Sequence, residues 1–157
     1  MPMIWGCSAS SERSVAESEI VDRLLAVWTH PPEDLEVLEE ELRAIYTDPL
    51  TLNGATMALS DLVAFAVRTA GAFSEQSSEL LQVHQTDSVL AFAFIRRGRH
   101  TGTYASALGP VEATGRDFEL RGLDLLTLQD GRISGGWAIA DESGLLRQLG
   151  AVVQGST

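Results

Sequence analysis

The run Asp130–Gly150, DGRISGGWAIADESGLLRQLG, decides how this chain is to be folded. Asp130-Gly131 suits a tight hairpin turn, because glycine accepts a positive φ without steric cost. A strand with period-two alternation follows: Ile133, Gly135, Trp137, Ile139 and Asp141 point one way, and Ser134, Gly136, Ala138 and Ala140 the other. An acid sharing a face with Ile133, Trp137 and Ile139 is out of character for a solvated strand. If that face lines a cavity, desolvation raises the pKa of Asp141 toward a useful acid/base range. Asp141 is equally a favoured N-cap for a helix over Glu142–Leu149. The two readings are compatible, since a cap at a strand's end can sit at a pocket mouth.

Outward from this run, the periodicity changes once along the chain. Ser14–Trp28 carries Val15, Ile20, Leu24, Leu25 and Trp28 near helical spacing and stops before His30-Pro31-Pro32. Glu33–Leu42 reads as a second helix, with Leu35, Leu38 and Leu42 on one stripe. Tyr46–Pro49 and Leu52-Asn53-Gly54 read as an extended piece ending in a turn, and Ser60-Asp61 starts a third helix through Ala70. After Gly71 the period becomes two. Strands are predicted over Ser78–Gln85, Val89–Gly98 and Phe118–Gln129, with Gly102–Ala107 continuing the second past a bulge at Gly98. Helices first, then a meander of antiparallel strands, argue an α+β fold. The expected form is a curved antiparallel sheet wrapped around the N-terminal helices, a cone with an internal pocket. Residues 1–13 are expected to be a flexible leader, 14–153 a single domain and 154–157 a tail.

Composition narrows the function. At 157 residues the chain is one domain with room for a sizeable core. Its net charge of −11 repels nucleic acid and anionic membrane, so neither is an expected partner. The longest apolar runs, such as Val89–Ile95, are far short of a membrane span. Every basic residue is Arg; with no Lys, Schiff-base chemistry is excluded. A single cysteine, Cys7, forms no internal disulfide or Cys-based metal cage, and a cytoplasmic location fits. The three His are far apart with no ligand spacing, so no metal is expected.

The chain resembles the SnoaL-like polyketide cyclases of the nuclear-transport-factor-type cone fold. The resemblance rests on Tyr46-Thr47-Asp48-Pro49 with Asn53-Gly54, the helix around Phe65, and Gly98-Arg99-His100-Thr101-Gly102. It continues through Thr114-Gly115-Arg116, Asp130-Gly131-Arg132-Ile133, Trp137, Asp141 and Gln148-Leu149-Gly150. Thr47 stands where many relatives carry His. The resemblance implies a cofactor-independent intramolecular aldol ring closure of a hydrophobic polyketide-like substrate. It also implies that the aspartate matching Asp141 is the general acid/base. One carboxyl can serve both proton transfers if its pKa lies near working pH. A same-fold hydroxylase accessory, an epoxide-opening enzyme and a non-catalytic binding or dimerisation module are the alternatives.

Other residues take supporting roles in this reading. His100 binds or polarises a substrate carbonyl, or else holds the bend of the sheet by backbone bonds. Trp137 and Ile139 line the pocket with Phe65 and Phe92, and Tyr46 and Asp48 sit near its mouth. For Asp48-Pro49 the alternative is simple turn chemistry. Asp124 is a second carboxylate whose face is undecided among leucines of both parities, and His84 a second base. Arg96, Arg97 and Arg99 read as a solvated edge rather than an anion site. Apolar residues at both parities of Val89–Ile95 fit a strand buried on both faces, hence a homodimer through the sheet.

Overall fold

The computed structural model describes residues 18–151. The predicted leader with Cys7, the first residues of the first predicted helix and the tail at 154–157 lie outside the described residues. Helices α1 (Glu19–Thr29) and α2 (Leu35–Ile45) come first, followed by β1 (Tyr46–Leu52) and β2 (Ala55–Met57). After α3 (Leu59–Ala72) come β3 (Phe73–Gln85), β4 (Val89–His100), β5 (Tyr104–Ser106) and β6 (Gly109–Val111). The chain ends with β7 (Asp117–Gln129), β8 (Arg132–Ala140) and α4 (Glu142–Gln148). The fold is α+β.

Helices α2, α3 and α4, though not α1, begin where the sequence supplies a carboxylate acceptor for free amides. The Asp34 carboxylate accepts from the Glu36 and Val37 amides at 2.9 and 3.3 Å, opening α2. Asp61 Oδ2 accepts from the Ala58 amide at 3.0 Å at the start of α3. The apolar stripes Val21, Leu24 and Val27 of α1 and Leu38, Leu42 and Ile45 of α2 are buried. They meet Leu90, Phe92, Phe94, Leu126, Leu128 and Ile133 of the sheet in one core. A smaller core of Ala72, Phe73, Phe118, Leu145 and Leu149 fixes α4 at the other end. Gln148 ties α4 to β7 like a third strand: its Oε1 accepts from the Glu119 amide and its Nε2 donates to the Glu119 carbonyl, both at 2.8 Å.

The six-stranded sheet runs β2-β1-β8-β7-β4-β3, and β1 pairs with β8 in parallel. The sheet is therefore mixed, where the sequence predicts an antiparallel one: the Tyr46–Leu52 piece becomes a full strand beside β8. Strand β3 starts at Phe73, immediately after α3, five residues before the predicted Ser78. Gly98 pairs in register with Phe118 of β7, and the irregularity at its level is carried by β3, where an extra residue lies between Ser74 and Ser77. The chain instead leaves the sheet after His100, and β5 and β6 form a separate hairpin. No helix among the described residues is long and apolar enough to cross a membrane.

The decisive irregularity lies in β8. Ile133 pairs with Leu128 and Gly135 with Thr127, so Ser134 is an extra, unpaired residue. From there on the strand's faces are exchanged relative to simple alternation. Glycines make this possible. Gly136 has φ +132°, and a Cβ on it would lie 2.3 Å from the Leu125 carbonyl oxygen; one on Gly135 would lie 2.5 Å from that of Thr51.

Candidate active site

Cross-strand partners share a face, so the register states what looks inward. Phe92 pairs with Asp124 and Asp124 with Ala138; Phe94 pairs with Gly122 and Gly122 with Ala140. Apart from Gly122, which is covered by the Phe94 ring, these residues wall a cavity of about 510 Å³ between the helices and the sheet, within the roughly 300–1,000 Å³ usual for small-molecule sites. Helix α1 contributes Leu24, Leu25 and Trp28, α3 contributes Phe65 and Thr69, and β1 contributes Tyr46 and Leu52. Phe73, Phe118, Leu120 and Leu145 close the far end, next to Tyr104 and Glu142. The wall is mostly aromatic and aliphatic, with a few polar groups set into it.

Asp124 is the carboxyl that enters this space. Burial is the dominant influence on it and raises its pKa from 3.8 to about 6, against the lowering effects of the Arg96 charge and the Ile139 amide. Tyr46 is 5 % exposed, and its Oη accepts a hydrogen bond from Trp28 Nε1 at 2.9 Å. Burial, together with the negative charge of Asp124, pushes the Tyr46 phenol well above its ordinary range, so it keeps its proton. With Trp28 occupying one lone pair, the Tyr46 hydroxyl hydrogen is available to an oxygen in the cavity. Arg96 also lines the cavity; desolvation lowers its pKa and the Asp124 charge raises it.

Glu142 is engaged, accepting from Tyr104 Oη at 2.8 Å and from the Ala107 amide at 3.2 Å. This anchors the β5–β6 hairpin to α4. Asn53 is engaged too: its side chain donates to the Ala138 carbonyl at 3.0 Å and accepts from the Ala138 amide at 2.8 Å, clipping the end of β1 to β8. Among the described residues no group of three or more His, Cys, Asp or Glu could hold a metal ion.

The sequence-predicted site is only partly assembled. Tyr46, Phe65 and Phe92 line the cavity, Phe65 at its outer edge against Trp28, with ring centroids 5.7 Å apart. Asp141 does not. It caps α4, accepting from the Gly144 amide at 2.8 Å, and lies in a shallow polar cleft with Glu119, Arg121 and Arg147. Trp137 is 56 % exposed on the opposite face of the sheet. The Ile139 side chain, 63 % exposed, shares that outer face with Leu123, so Ile139 reaches the cavity through its backbone. All three displacements have one cause, the extra residue at Ser134.

His100 is fully buried but is not part of the cavity wall. Its Nδ1 accepts from the Thr114 amide at 3.2 Å and lies 2.9 Å from Thr114 Oγ1, while its backbone bonds Arg116 and Gly115. It therefore braces the turn out of β4. Asp48 accepts from the Leu59 amide at 3.1 Å and supports the start of α3, away from the cavity. His84 is on the outer face beside Gln82, with Nε2 2.6 Å from Gln82 Nε2. The group that sequence reasoning read as a solvated edge, Arg96, is turned inward by the parity it shares with Phe92 and Phe94.

The model of the SnoaL-like polyketide cyclase family matches residues 18–149. No curated protein sequence matches the chain. Among solved structures, TsrD from Streptomyces laurentii superposes with a TM-score of 0.70 at 21% identity, covering 85% of this chain and 93% of that one. AclR from Streptomyces galilaeus, a candidate hydroxylase, gives 0.68 at 17% identity, covering 85% and 95%. Wild-type IdmH from Streptomyces antibioticus, a candidate polyketide cyclase, gives 0.64 at 22% identity, covering 85% and 99%. At these identities the likeness is one of fold.

Proposed function

The chain belongs to the SnoaL-like polyketide cyclase family, and from that premise we propose that it is a cofactor-independent acid/base enzyme closing a ring of a hydrophobic polyketide-like substrate by an intramolecular aldol reaction. Asp124, rather than Asp141, carries the proton. The single observation behind this reading is a desolvated carboxyl with a pKa of about 6 in an aromatic-walled cavity. Near neutral pH such a group is mostly ionised, yet its conjugate acid is still a useful donor.

In the reaction, the Asp124 carboxylate removes an acidic proton from the carbon between two substrate carbonyls. The resulting enolate carbon attacks a ketone held within the folded chain, and the new carbon–carbon bond leaves an alkoxide. Protonated Asp124 returns its proton to that oxygen, so substrate and product are isomers and the enzyme is regenerated. The Tyr46 hydroxyl donates to an oxygen on which charge develops. Phe92, Phe118 and Trp28 hold the flat substrate in a near-attack arrangement, which supplies much of the rate. Epoxide opening would need a second group to position water. Asn53, the one carboxamide in the cavity wall among the described residues, is committed to the Ala138 backbone, which supports the single-carboxyl reading.

The protein acts as a homodimer in this proposal. Leu123, Leu125, Trp137 and Ile139 are each more than half exposed on the outer sheet face, next to Val89. Leu125 pairs with Trp137 and Leu123 with Ile139, so they form one contiguous apolar patch of the kind that marks an interaction site. Turnover of an aromatic β-diketone ester carrying a pendant ketone tests the catalytic reading. Asp124→Asn should lower kcat by roughly two to four orders of magnitude with binding retained. Near-normal turnover by this variant would remove Asp124 from the mechanism.

A further inference from the structure

Three arginines on β4, Arg96, Arg97 and Arg99, have different fates. Arg97 donates to Glu79 at 2.8 Å and to Glu119 at 3.1 Å, and Arg99 to Asp117 at 3.0 Å. Arg96, on the alternate face, points into the cavity; its guanidinium feels the charge of Asp124 but makes no close ion pair or side-chain hydrogen bond among the described residues. Its Nε is buried and without an acceptor. A buried guanidinium retains its charge, so leaving its donors unmatched is costly. Such an arrangement is expected where a ligand supplies the missing acceptor.

The surroundings define that ligand. Phe92 and Phe94 precede Arg96 on the same face of β4, and Leu120, its cross-strand partner, continues the apolar wall. Besides Arg96, the polar side chains in the cavity wall are the Tyr46 hydroxyl that can donate, Thr69, the Asp124 carboxyl, Asn53 already bonded to the Ala138 backbone, and Glu142 with Tyr104, already bonded to each other. The guanidinium offers a planar fork of donors, which matches a planar, delocalised oxyanion in two parallel hydrogen bonds. Lone ketone oxygens would leave part of that fork unused.

We propose that Arg96 is an anion-recognition point, and that the cavity selects flat aromatic ligands bearing an ionised carboxylate or enolate oxygen pair, docked on the guanidinium at the end of the aromatic slot. The inference rests on the ligand-cavity reading above and narrows its substrate class from hydrophobic to hydrophobic and acidic. The anion sits on the Arg96 side of the cavity, leaving the reacting carbons toward Asp124. It fixes which end of the ligand enters first and hence which carbon meets the carboxyl.

Calorimetric titration of the full chain with two matched pairs of probes tests this. One pair is 2-naphthoate and its methyl ester; the other is 2-hydroxy-1,4-naphthoquinone, ionised at neutral pH, and its 2-methoxy ether. The wild-type protein should bind the ionised member of at least one pair about tenfold or more tightly than the neutral member. Which pair shows it separates a carboxylate from an enolate. Arg96→Met should lose that preference while binding the neutral members as before, and its melting temperature should not fall at pH 4, where Asp124 is protonated and the guanidinium has no carboxylate charge facing it. Arg96→Lys, with charge but no fork, should retain only part of the preference. Equal affinities within both pairs for the wild type, or a preference that survives Arg96→Met, overturns the proposal alone. Failure of all four probes to bind overturns it together with the ligand-cavity reading.

Discussion

Replacing Asp124 with Asn should stabilise the fold while disabling the chemistry, and the pH dependence of that gain is calculable. A carboxyl with a pKa of about 6 in the folded state and an ordinary value of 3.8 binds its proton more tightly when folded. Its contribution to stability is therefore fully present below about pH 4 and is lost as pH rises through 6. By pH 8 the ionised wild type has lost about 2–3 kcal/mol that a neutral amide never loses, taking 1.36 kcal/mol per pKa unit and a modest allowance for residual hydration. For a domain of this size that corresponds to roughly 5–10 °C in melting temperature. The measurement is calorimetric unfolding of both proteins from pH 4 to pH 8. The quantity read is their difference, in which other titrating groups common to both cancel. Arg96, Tyr46, Glu142 and Tyr104 share the cavity with Asp124, and of these the Arg96 charge is what holds the shift down to its present size. The difference should rise from its low-pH baseline through pH 6 and level off above 7. Melting curves that stay parallel across this interval would show that Asp124 is not desolvated, and the acid/base argument would lose its physical basis. In kinetics, the same titration should make wild-type kcat/KM fall tenfold per pH unit below about 6, as the base becomes protonated.

The other expectations are briefer. Asp141→Asn should leave turnover and stability nearly unchanged, since Asn caps as well as Asp, whereas Asp141→Ala should cost about 1 kcal/mol in thermal unfolding. Leu123→Glu should convert a dimer to a monomer in sedimentation velocity without changing the melting of the monomer; a wild type that already sediments as a monomer at micromolar concentration counts against the outer-face interface. Gly136→Ala, at φ +132° and with a Cβ 2.3 Å from the Leu125 carbonyl oxygen, should destabilise by more than about 1 kcal/mol in denaturant unfolding.

Much of the architecture was legible because the periods are clean. Leu38 and Leu42 of the predicted α2 stripe are buried, the switch to alternation comes beyond Gly71 and Asp130-Gly131 makes its turn, whereas Leu35, predicted on the same stripe, is exposed and Ile45 takes its place. The mixed sheet was not legible, because Tyr46–Leu52 is short and interrupted by Pro49, and only its tertiary partner β8 makes it a strand. The site failed in a more instructive way. Regular alternation through Gly135-Gly136 places Trp137, Ile139 and Asp141 inward, but an interior glycine pair is a recognised sign of a bulge. Counting one extra residue there sends Trp137 and Ile139 outward and leaves Asp141 to cap α4, as observed.

The same irregularity explains why one short strand serves two surfaces. Before Ser134, the inward side chain is Ile133, fully buried in the main core. After it the inward positions are Gly136, Ala138 and Ala140, and the small Ala138 and Ala140 leave open space beside Asp124 instead of filling it. The large side chains that regular alternation would have put there are on the outer face, where they are exposed and available to a second copy. A strand of this sequence without the bulge would fill the cavity with Trp137 and Ile139 and present alanine outward, losing ligand space and interface together. Deleting Ser134 to restore regular pairing therefore provides a severe combined test: a protein that still folds should bind none of the naphthalene probes and should no longer self-associate. Retention of both properties would mean that the exchange of faces does not create them.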